Sequence, residues 1–230
     1  MKPKFPKLCL MTFFREVLDS FTVKNNAEKI GHYEFESRKF PIYRAAFKGV
    51  EICLVQAVVG SAPVAQMATY LINHGVEAIL ACGDCGVLNN MPPGDVIIPV
   101  SAFHDENSLY EGTTPSNEIF LNHDVISIIK ETLTTFNVPF METKTWTTDA
   151  FFSETSDMIT YRKADGCTVV EMECATLAAV AELMGIKFGQ LLYSRDISAE
   201  IEHFYSHVEN ENLTARDKLF YISLEVLIRL

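Results

Sequence analysis

Several features that define whole classes of protein are absent from this sequence of 230 residues. It contains no apolar run of the roughly 20 residues that a membrane-spanning helix needs. Basic residues are few, because 19 Lys and Arg stand against 30 Asp and Glu, and they form no basic block. The formal net charge of −11 disfavours nucleic acids and anionic membranes as binding partners. The sequence therefore predicts a partner that is neither a nucleic acid nor a membrane.

The six cysteines do not form a disulfide framework or a complete metal-binding pattern. Cys82 and Cys85 form a C-x-x-C pair, but no second such pair follows, and the residues between them belong to a glycine turn. Met1–Lys7 is basic and contains proline, with no apolar stretch long enough for an export signal after it. We therefore expect a cytoplasmic protein with reduced thiols, without a metal or another cofactor.

Apolar runs typical of buried strands alternate with helical patterns along the chain. Ala78–Cys82, Val96–Ala102 and Phe188–Ser194 are almost uniformly apolar, and Asp124–Phe136 has a clear amphipathic period. This alternation predicts one domain over residues 1–230, a three-layer α/β sandwich with a mixed, largely parallel central sheet. The other predicted strands are Lys7–Met11, Ile42–Phe47, Glu51–Val59, Thr143–Thr148 and Cys167–Val170. The other predicted helices are Arg15–Phe21, Val64–His74, Met172–Met184 and Leu213–Leu230.

Polar motifs follow directly after four of these predicted strands. In sheets of this kind, ligands bind at the carboxyl ends of the strands, so the motifs are expected to meet at one site. They are Gly83–Gly86, His104–Glu106, Glu171–Glu173 and Asp196.

The carboxylates in these motifs suit the recognition of a sugar. Glu171 and Glu173 flank one methionine, and paired carboxylate oxygens can accept hydrogen bonds from a vicinal diol. Asp196 is placed to exchange a proton with the group that the sugar carries. Two other interpretations remain open at this point. The glutamates can be acids at the start of a helix, and Asp196 can be an N-cap.

Four segments, in this order, resemble the nucleoside phosphorylase superfamily, which includes purine and uridine phosphorylases and related nucleosidases. The resemblance extends from about Gly49 to Asp196, which is most of the chain. The four segments are Gly83–Gly86, Pro93–Pro99, Thr145–Phe152 and Val169–Thr176.

The resemblance implies a set of roles in cleaving an N-glycosidic bond, a reaction in which positive charge grows on the sugar. Glu173 would bind the ribose hydroxyls, Met172 would pack against the sugar, and Glu171 would hold this segment or contact the ligand. Asp196 would protonate or hydrogen-bond the leaving purine, and Phe151 would stack on it. Gly60 and Gly83 complete the substrate-binding candidates.

The phosphate-binding part of the family pattern is altered in this sequence. Ala81 stands where phosphorylases carry a basic residue, and Asp84 stands where they carry a hydroxyl. A carboxylate at this place repels phosphate unless it is protonated or paired. Arg15 and Arg44 are the remaining candidates for binding phosphate. Glu16 lies where the related nucleosidases carry a glutamate that orients the attacking water.

Three functional hypotheses follow from the resemblance. The first is a purine-type nucleoside phosphorylase that transfers ribose to inorganic phosphate. The second is a nucleosidase of the methylthioadenosine type, which uses water, and the third is a nucleoside-binding homologue that has lost catalysis. In each case the resemblance implies a homo-oligomer of undefined order.

Overall fold

The structure is a computed structural model that describes residues 4–36, 38–89, 96–104, 117–150, 155–194 and 214–230. Within these ranges the chain forms six helices and one mixed sheet of ten strands. The strands are β1 (Leu8–Thr12), β2 (Glu28–Phe35), β3 (Arg38–Phe47), β4 (Val50–Gln56), β5 (Ala78–Val87), β6 (Val96–His104), β7 (Glu118–Phe120), β8 (Phe140–Thr147), β9 (Cys167–Glu171) and β10 (Lys187–Ser194). The helices are α1 (Arg15–Lys24), α2 (Ser61–Asn73), α3 (His123–Thr135), α4 (Ser156–Ala164), α5 (Cys174–Met184) and α6 (Ala215–Leu227).

Two parallel groups of strands make up most of the sheet. One group is β4-β1-β5-β10 and the other is β6-β8-β9. Antiparallel contacts of β10 with β6 and of β5 with β9 join the groups, so that five strands pair in a closed ring. β2, β3 and β7 extend the sheet by antiparallel pairing. The predicted mixed α/β class is confirmed, whereas the three-layer arrangement remains a prediction and the ring was not predicted.

The register of the strands brings several carboxyl ends to one place. Thr12 of β1 and Leu191 of β10 both lie beside Cys82 of β5. β1 ends at this level, whereas β5 and β10 continue side by side to the pair of Cys85 and Ser194. On the other side of the ring, Glu171 lies beside Thr147, and Val170 pairs with Gly86. The predicted convergence of strand ends is present for these segments.

The apolar faces of five helices pack against this sheet in one large core, and α4 packs against a smaller apolar cluster around Trp146. α5 shows the pattern most clearly, because every residue from Cys174 to Ala181 is buried. The helix ends at Gly185, whose φ of +66° is the left-handed conformation that glycine adopts most readily. None of the helices in the described ranges combines the length and apolar character that a bilayer-spanning helix requires.

Candidate active site

A cavity of about 580 Å³ opens where the strand ends meet. Phe13 and Phe14, which follow β1, form part of its wall, together with the end of β5 from Asp84 to Val87. Met172 and Glu173 contribute from the segment after β9, and Arg216 contributes from α6. Four separate parts of the sequence therefore share one hollow, which has the size expected for a small-molecule site.

Glu173 is a buried carboxylate in this wall, with 5% of the residue exposed. The main-chain N–H of Gly60 donates a hydrogen bond of 2.6 Å to its Oε1. No side chain among the described residues donates a hydrogen bond to this carboxylate, which faces the cavity. Burial, together with the negative charges of Glu171 and Asp149, raises the pKa of Glu173 to about 8, although hydrogen bonds from the main chain of Gly60 and Met172 oppose the shift.

Gly60 is positioned by the start of α2. It has a φ of +98°, a conformation that side chains with a Cβ rarely adopt, and it directly precedes the first helical residue, Ser61. The N–H of Ser61 donates to Oδ1 of Asp149 at 2.8 Å, and its hydroxyl donates to the Met172 carbonyl at 3.2 Å. The beginning of α2 is thus fixed to two other segments of the site.

Glu171 has both carboxylate oxygens engaged within the protein. Oε2 accepts from the N–H groups of Glu173 at 2.8 Å and Cys174 at 2.7 Å, and Oε1 accepts from the Thr147 hydroxyl at 2.6 Å. Burial raises the pKa of Glu171, while these hydrogen bonds favour its ionised form. Of the two roles considered for Glu171, the geometry supports holding the segment that carries Glu173, and a ligand contact remains a prediction.

Arg216 is a cavity residue whose role the sequence did not reveal. Its Nη1 lies 2.5 Å from Oε1 of Glu16, its Nη2 lies 3.5 Å from Oδ2 of Asp84, and its Nε donates to the Tyr193 hydroxyl at 3.0 Å. Burial alone would raise the pKa of Glu16, but the hydrogen bond and positive charge of Arg216 lower it. Asp84 is therefore the paired carboxylate that the sequence analysis allowed for.

The predicted glycine turn at Gly83–Gly86 is wrong, because these residues pair on both sides as part of β5. Gly83 lies beside the cavity rather than in its described wall. A Cβ at this position would lie 2.8 Å from Cδ2 of Phe13, so only glycine permits this close approach. Phe13 itself lines the cavity. Gly83 therefore shapes the wall through its neighbour, and a direct substrate contact stays a prediction.

The two arginines proposed for phosphate lie outside the described cavity wall. Arg15 pairs with Asp19 at 3.5 Å on the surface of α1. Arg44 pairs with Glu28 at 3.3 Å and Glu51 at 3.5 Å on the strands β2 to β4. The structure does not bring either of them to Glu173, and their phosphate-binding roles remain predictions.

Asp196 and Phe151 fall outside the described residues. Thr148, three residues before Phe151, and Leu192, four residues before Asp196, both line the cavity. The chain therefore lines the cavity within four residues, counted along the sequence, of both positions. The predicted roles of Asp196 as proton donor and Phe151 as base-stacking residue stay predictions.

The cysteines of the C-x-x-C pair are buried in β5 and are not bonded to each other. Burial raises the pKa of Cys82 to about 11 and raises that of Cys85 as well. Thiols of this kind are poor nucleophiles and poor metal ligands, because both functions require the thiolate. The structure gives these side chains a packing role.

The matching family model is that of the phosphorylase superfamily, and it covers residues 9–226. The chain belongs to this superfamily. The sheet, the cavity at its strand ends and the Glu171–Glu173 segment lie within the matched region.

Relatives with assigned activities match at low identity. A guanosine phosphorylase from Halorubrum lacusprofundi is 22% identical over 157 residues, which are 68% of this chain and 65% of that protein. A purine nucleoside phosphorylase from Plasmodium falciparum is 28% identical over 164 residues, again 68% of this chain and 65% of that protein. The matched region thus spans slightly less than two thirds of the relatives' own length.

Two solved structures share the fold over nearly the whole chain. A futalosine hydrolase mutant from Helicobacter pylori has a TM-score of 0.74 at 16% identity and covers 98% of this chain and 100% of its own. A purine nucleoside phosphorylase from Toxoplasma gondii, in complex with immucillin-H, has a TM-score of 0.77 at 16% identity and covers 100% of this chain and 96% of its own. At this identity the likeness concerns the fold alone.

Proposed function

We propose that this protein cleaves the N-glycosidic bond of a purine-type nucleoside. The observation that supports this most strongly is the state of Glu173. Its carboxylate is buried, accepts a hydrogen bond at Oε1 from the N–H of Gly60, and lines the cavity. Ribose hydroxyls can form hydrogen bonds with this carboxyl group in either protonation state, because a protonated carboxyl both donates and accepts. The positive charge that grows on the sugar would favour the ionised form of Glu173 in the transition state. Asp196 would supply the proton or hydrogen bond to the departing base.

The charges around the cavity favour water, rather than phosphate, as the group to which the sugar is transferred. Arg216 is the one Lys or Arg among the described residues of the wall, and it is already engaged by Glu16 and Asp84. A phosphate dianion would have to share this guanidinium with two carboxylates. A neutral water molecule meets no such repulsion, and the ionised Glu16 beside the cavity is able to accept its hydrogen bond. Hydrolysis, the alternative in the sequence analysis, is therefore our first proposal for the reaction type.

Phosphorolysis is the second candidate, because the two related proteins named above are phosphorylases. Under this proposal inorganic phosphate would be the second substrate and would displace Asp84 or Glu16 from Arg216. Whether Arg15 or Arg44 assists from elsewhere, or from another copy in a homo-oligomer, belongs to the same proposal.

A panel of nucleosides separates these possibilities. Inosine, adenosine, uridine and methylthioadenosine are incubated with the protein, with and without inorganic phosphate, and the free base and the sugar product are measured. Hydrolysis predicts base and free sugar at the same rate under both conditions. Phosphorolysis predicts a sugar phosphate and no base release without phosphate. A rise in melting temperature with a nucleoside, but no base under any condition, would point instead to a binding protein.

A further inference from the structure

Gln190 is an unexplained polar side chain in the cavity. It lies in β10, lines the cavity and is only 1% exposed. Its Oε1 is buried without a hydrogen-bond partner among the described residues. A buried acceptor without a donor is unfavourable by about 1–3 kcal/mol, so such groups usually have a functional partner or an ordered water.

The register of the sheet shows where this carboxamide lies. Gln190 pairs with Ala81, and Leu192, two residues further along β10, pairs with Gly83. Gln190 therefore lies two residues deeper in the sheet than the position beside Gly83, and it shares a sheet face with Leu192, which also lines the cavity. Its neighbour Ala81 has only a methyl group and offers no hydrogen bond. The side-chain carboxamide of Gln190 is thus the polar group at the inner end of the wall that β10 and β5 form.

The chemistry of the amide and its surroundings selects the ligand group. An unpaired carbonyl oxygen needs a hydrogen-bond donor, and a carboxamide also donates through its nitrogen. A phosphate dianion could donate its one proton to Oε1, but its two negative charges need a cation, and Arg216, the one Lys or Arg in the described wall, is shared by Glu16 and Asp84. A neutral group that both donates and accepts, such as a water molecule or a hydroxyl, satisfies the amide.

We propose that Gln190 binds a neutral hydroxyl or water in the reacting complex, at the inner end of the cavity beside Ala81. This proposal rests on the proposed cleavage of a nucleoside. The hydroxyl group has two possible sources, namely the sugar of the nucleoside and the water that attacks it. In both cases Gln190 is a ligand-binding residue that adds to Glu173, and it favours water over phosphate in this part of the site.

Gln190→Met tests the proposal, because methionine keeps a similar volume and flexibility but has no amide. Gln56→Met is the matched control, since Gln56 ends β4 outside the described cavity wall and binds Arg38 at 2.9 Å. For both variants we measure the melting temperature, kcat/KM with the best nucleoside of the panel, and the Kd of that nucleoside. We expect Gln190→Met to be as stable as the wild type or more stable, because an unpaired buried amide is removed. We expect its kcat/KM to fall at least about tenfold, whereas Gln56→Met retains wild-type kinetics.

The two binding measurements distinguish the sources of the hydroxyl. A weakened Kd assigns the group to the nucleoside, and an unchanged Kd with lower kcat assigns it to the attacking water; both support the proposal. Wild-type kcat/KM and Kd in a folded Gln190→Met protein overturn it. A lowered melting temperature with unchanged kinetics also overturns it, because Gln190 would then hold only a resident structural water.

The same variants separate this proposal from the proposed function. If the wild type releases no base, the proposed catalysis is excluded. The binding role of Gln190 is then tested by the rise in melting temperature that a nucleoside causes, and this rise must be smaller in Gln190→Met. A wild type that shows neither turnover nor a melting shift overturns both proposals. Gln190→Leu replaces Gln190→Met in every comparison if the methionine variant does not fold.

Discussion

The main-chain N–H of Gly60 and the carboxylate of Glu173 are joined by a 2.6 Å hydrogen bond across 113 positions of the sequence. This bond links the start of α2 to the segment before α5. It orients a carboxylate that lines the cavity. The arrangement makes the conformation of a single glycine a determinant of the proposed ribose site.

Gly60→Ala is expected to disturb both stability and ligand binding. Alanine at a φ of +98° is strained, with a cost of about 1–3 kcal/mol, and relief of the strain would move the N–H away from Glu173. Gly49→Ala is the control, because Gly49 lies in the β3–β4 turn with a φ of +82°, and a Cβ added there would meet no atom within 4 Å. Both variants should lose stability in urea denaturation, but only Gly60→Ala should weaken nucleoside binding. Equal nucleoside affinity in the two variants would contradict the positioning role.

The raised pKa of Glu173 predicts a specific dependence of stability on pH. The folded protein binds this proton up to a pKa of about 8, whereas the ordinary value is 4.5. The stability contributed by the protonated group is therefore fully present below about pH 4.5 and is lost as pH rises to about 8, by at most about 1.4 kcal/mol per pH unit. Glu173→Gln removes this loss, so the free energy of unfolding of the variant relative to wild type should increase between pH 5.5 and pH 8.5.

The control for this pH series is Glu182→Gln on the exposed side of α5. Its free energy of unfolding should follow the wild-type pH dependence. If Glu173→Gln follows it too, then Glu173 does not carry the shifted proton.

Glu171→Gln is expected to reduce stability more than Glu173→Gln at neutral pH. A glutamine can accept hydrogen bonds only at its oxygen. Its NH2 group would therefore face an N–H or hydroxyl donor that now bonds to Glu171, and that donor would lose its acceptor. We expect a loss of about 1–3 kcal/mol in the free energy of unfolding, measured by urea denaturation. A Glu171→Gln protein that is as stable as wild type but inactive would show that Glu171 serves the ligand rather than the start of α5.

Part of this site was accessible from the sequence because it depends on local patterns. Uniformly apolar runs marked the cores of β5, β6 and β10, and the polar residues that follow the apolar parts of β5 and β9 indicated which segments meet. Gly185 marked the end of α5 correctly. The predicted start at Met172 was two residues early, because the Glu171 side chain caps the N–H groups of Glu173 and Cys174.

Other features depend on contacts that no local pattern contains. Glu16 and Arg216 are separated by 200 positions, and their ion pair arises only when α6 packs beside the end of β1. The donor role of Gly60 requires both the φ of that residue and the approach of α5. β2 was missed because it is mostly exposed and lacks a regular apolar alternation, and α4 was missed because only Arg162 of its residues is buried.

Asp196→Ala is expected to lower turnover far more than nucleoside affinity. The proton or hydrogen bond to the base is needed mainly in the transition state, so kcat should fall while Kd changes little. Asp196→Asn should behave similarly, because it keeps the size but does not release a proton as a carboxylic acid does. The check is a comparison of steady-state rates with Kd from calorimetry. Parallel losses in kcat and affinity would assign Asp196 to ground-state binding instead.

The release of free base by the wild type and by Glu173→Gln is the most direct test of the central claim, that Glu173 binds the sugar of a nucleoside in this cavity. Both proteins are assayed with the best nucleoside of the panel, and Glu182→Gln controls for the loss of one negative charge. The account predicts a fall of about 10- to 100-fold in kcat/KM for Glu173→Gln, as expected when a buried hydrogen bond to the sugar and a carboxyl group able to ionise in the transition state are lost, and no change for Glu182→Gln. Wild-type kcat/KM in a folded Glu173→Gln protein would contradict it.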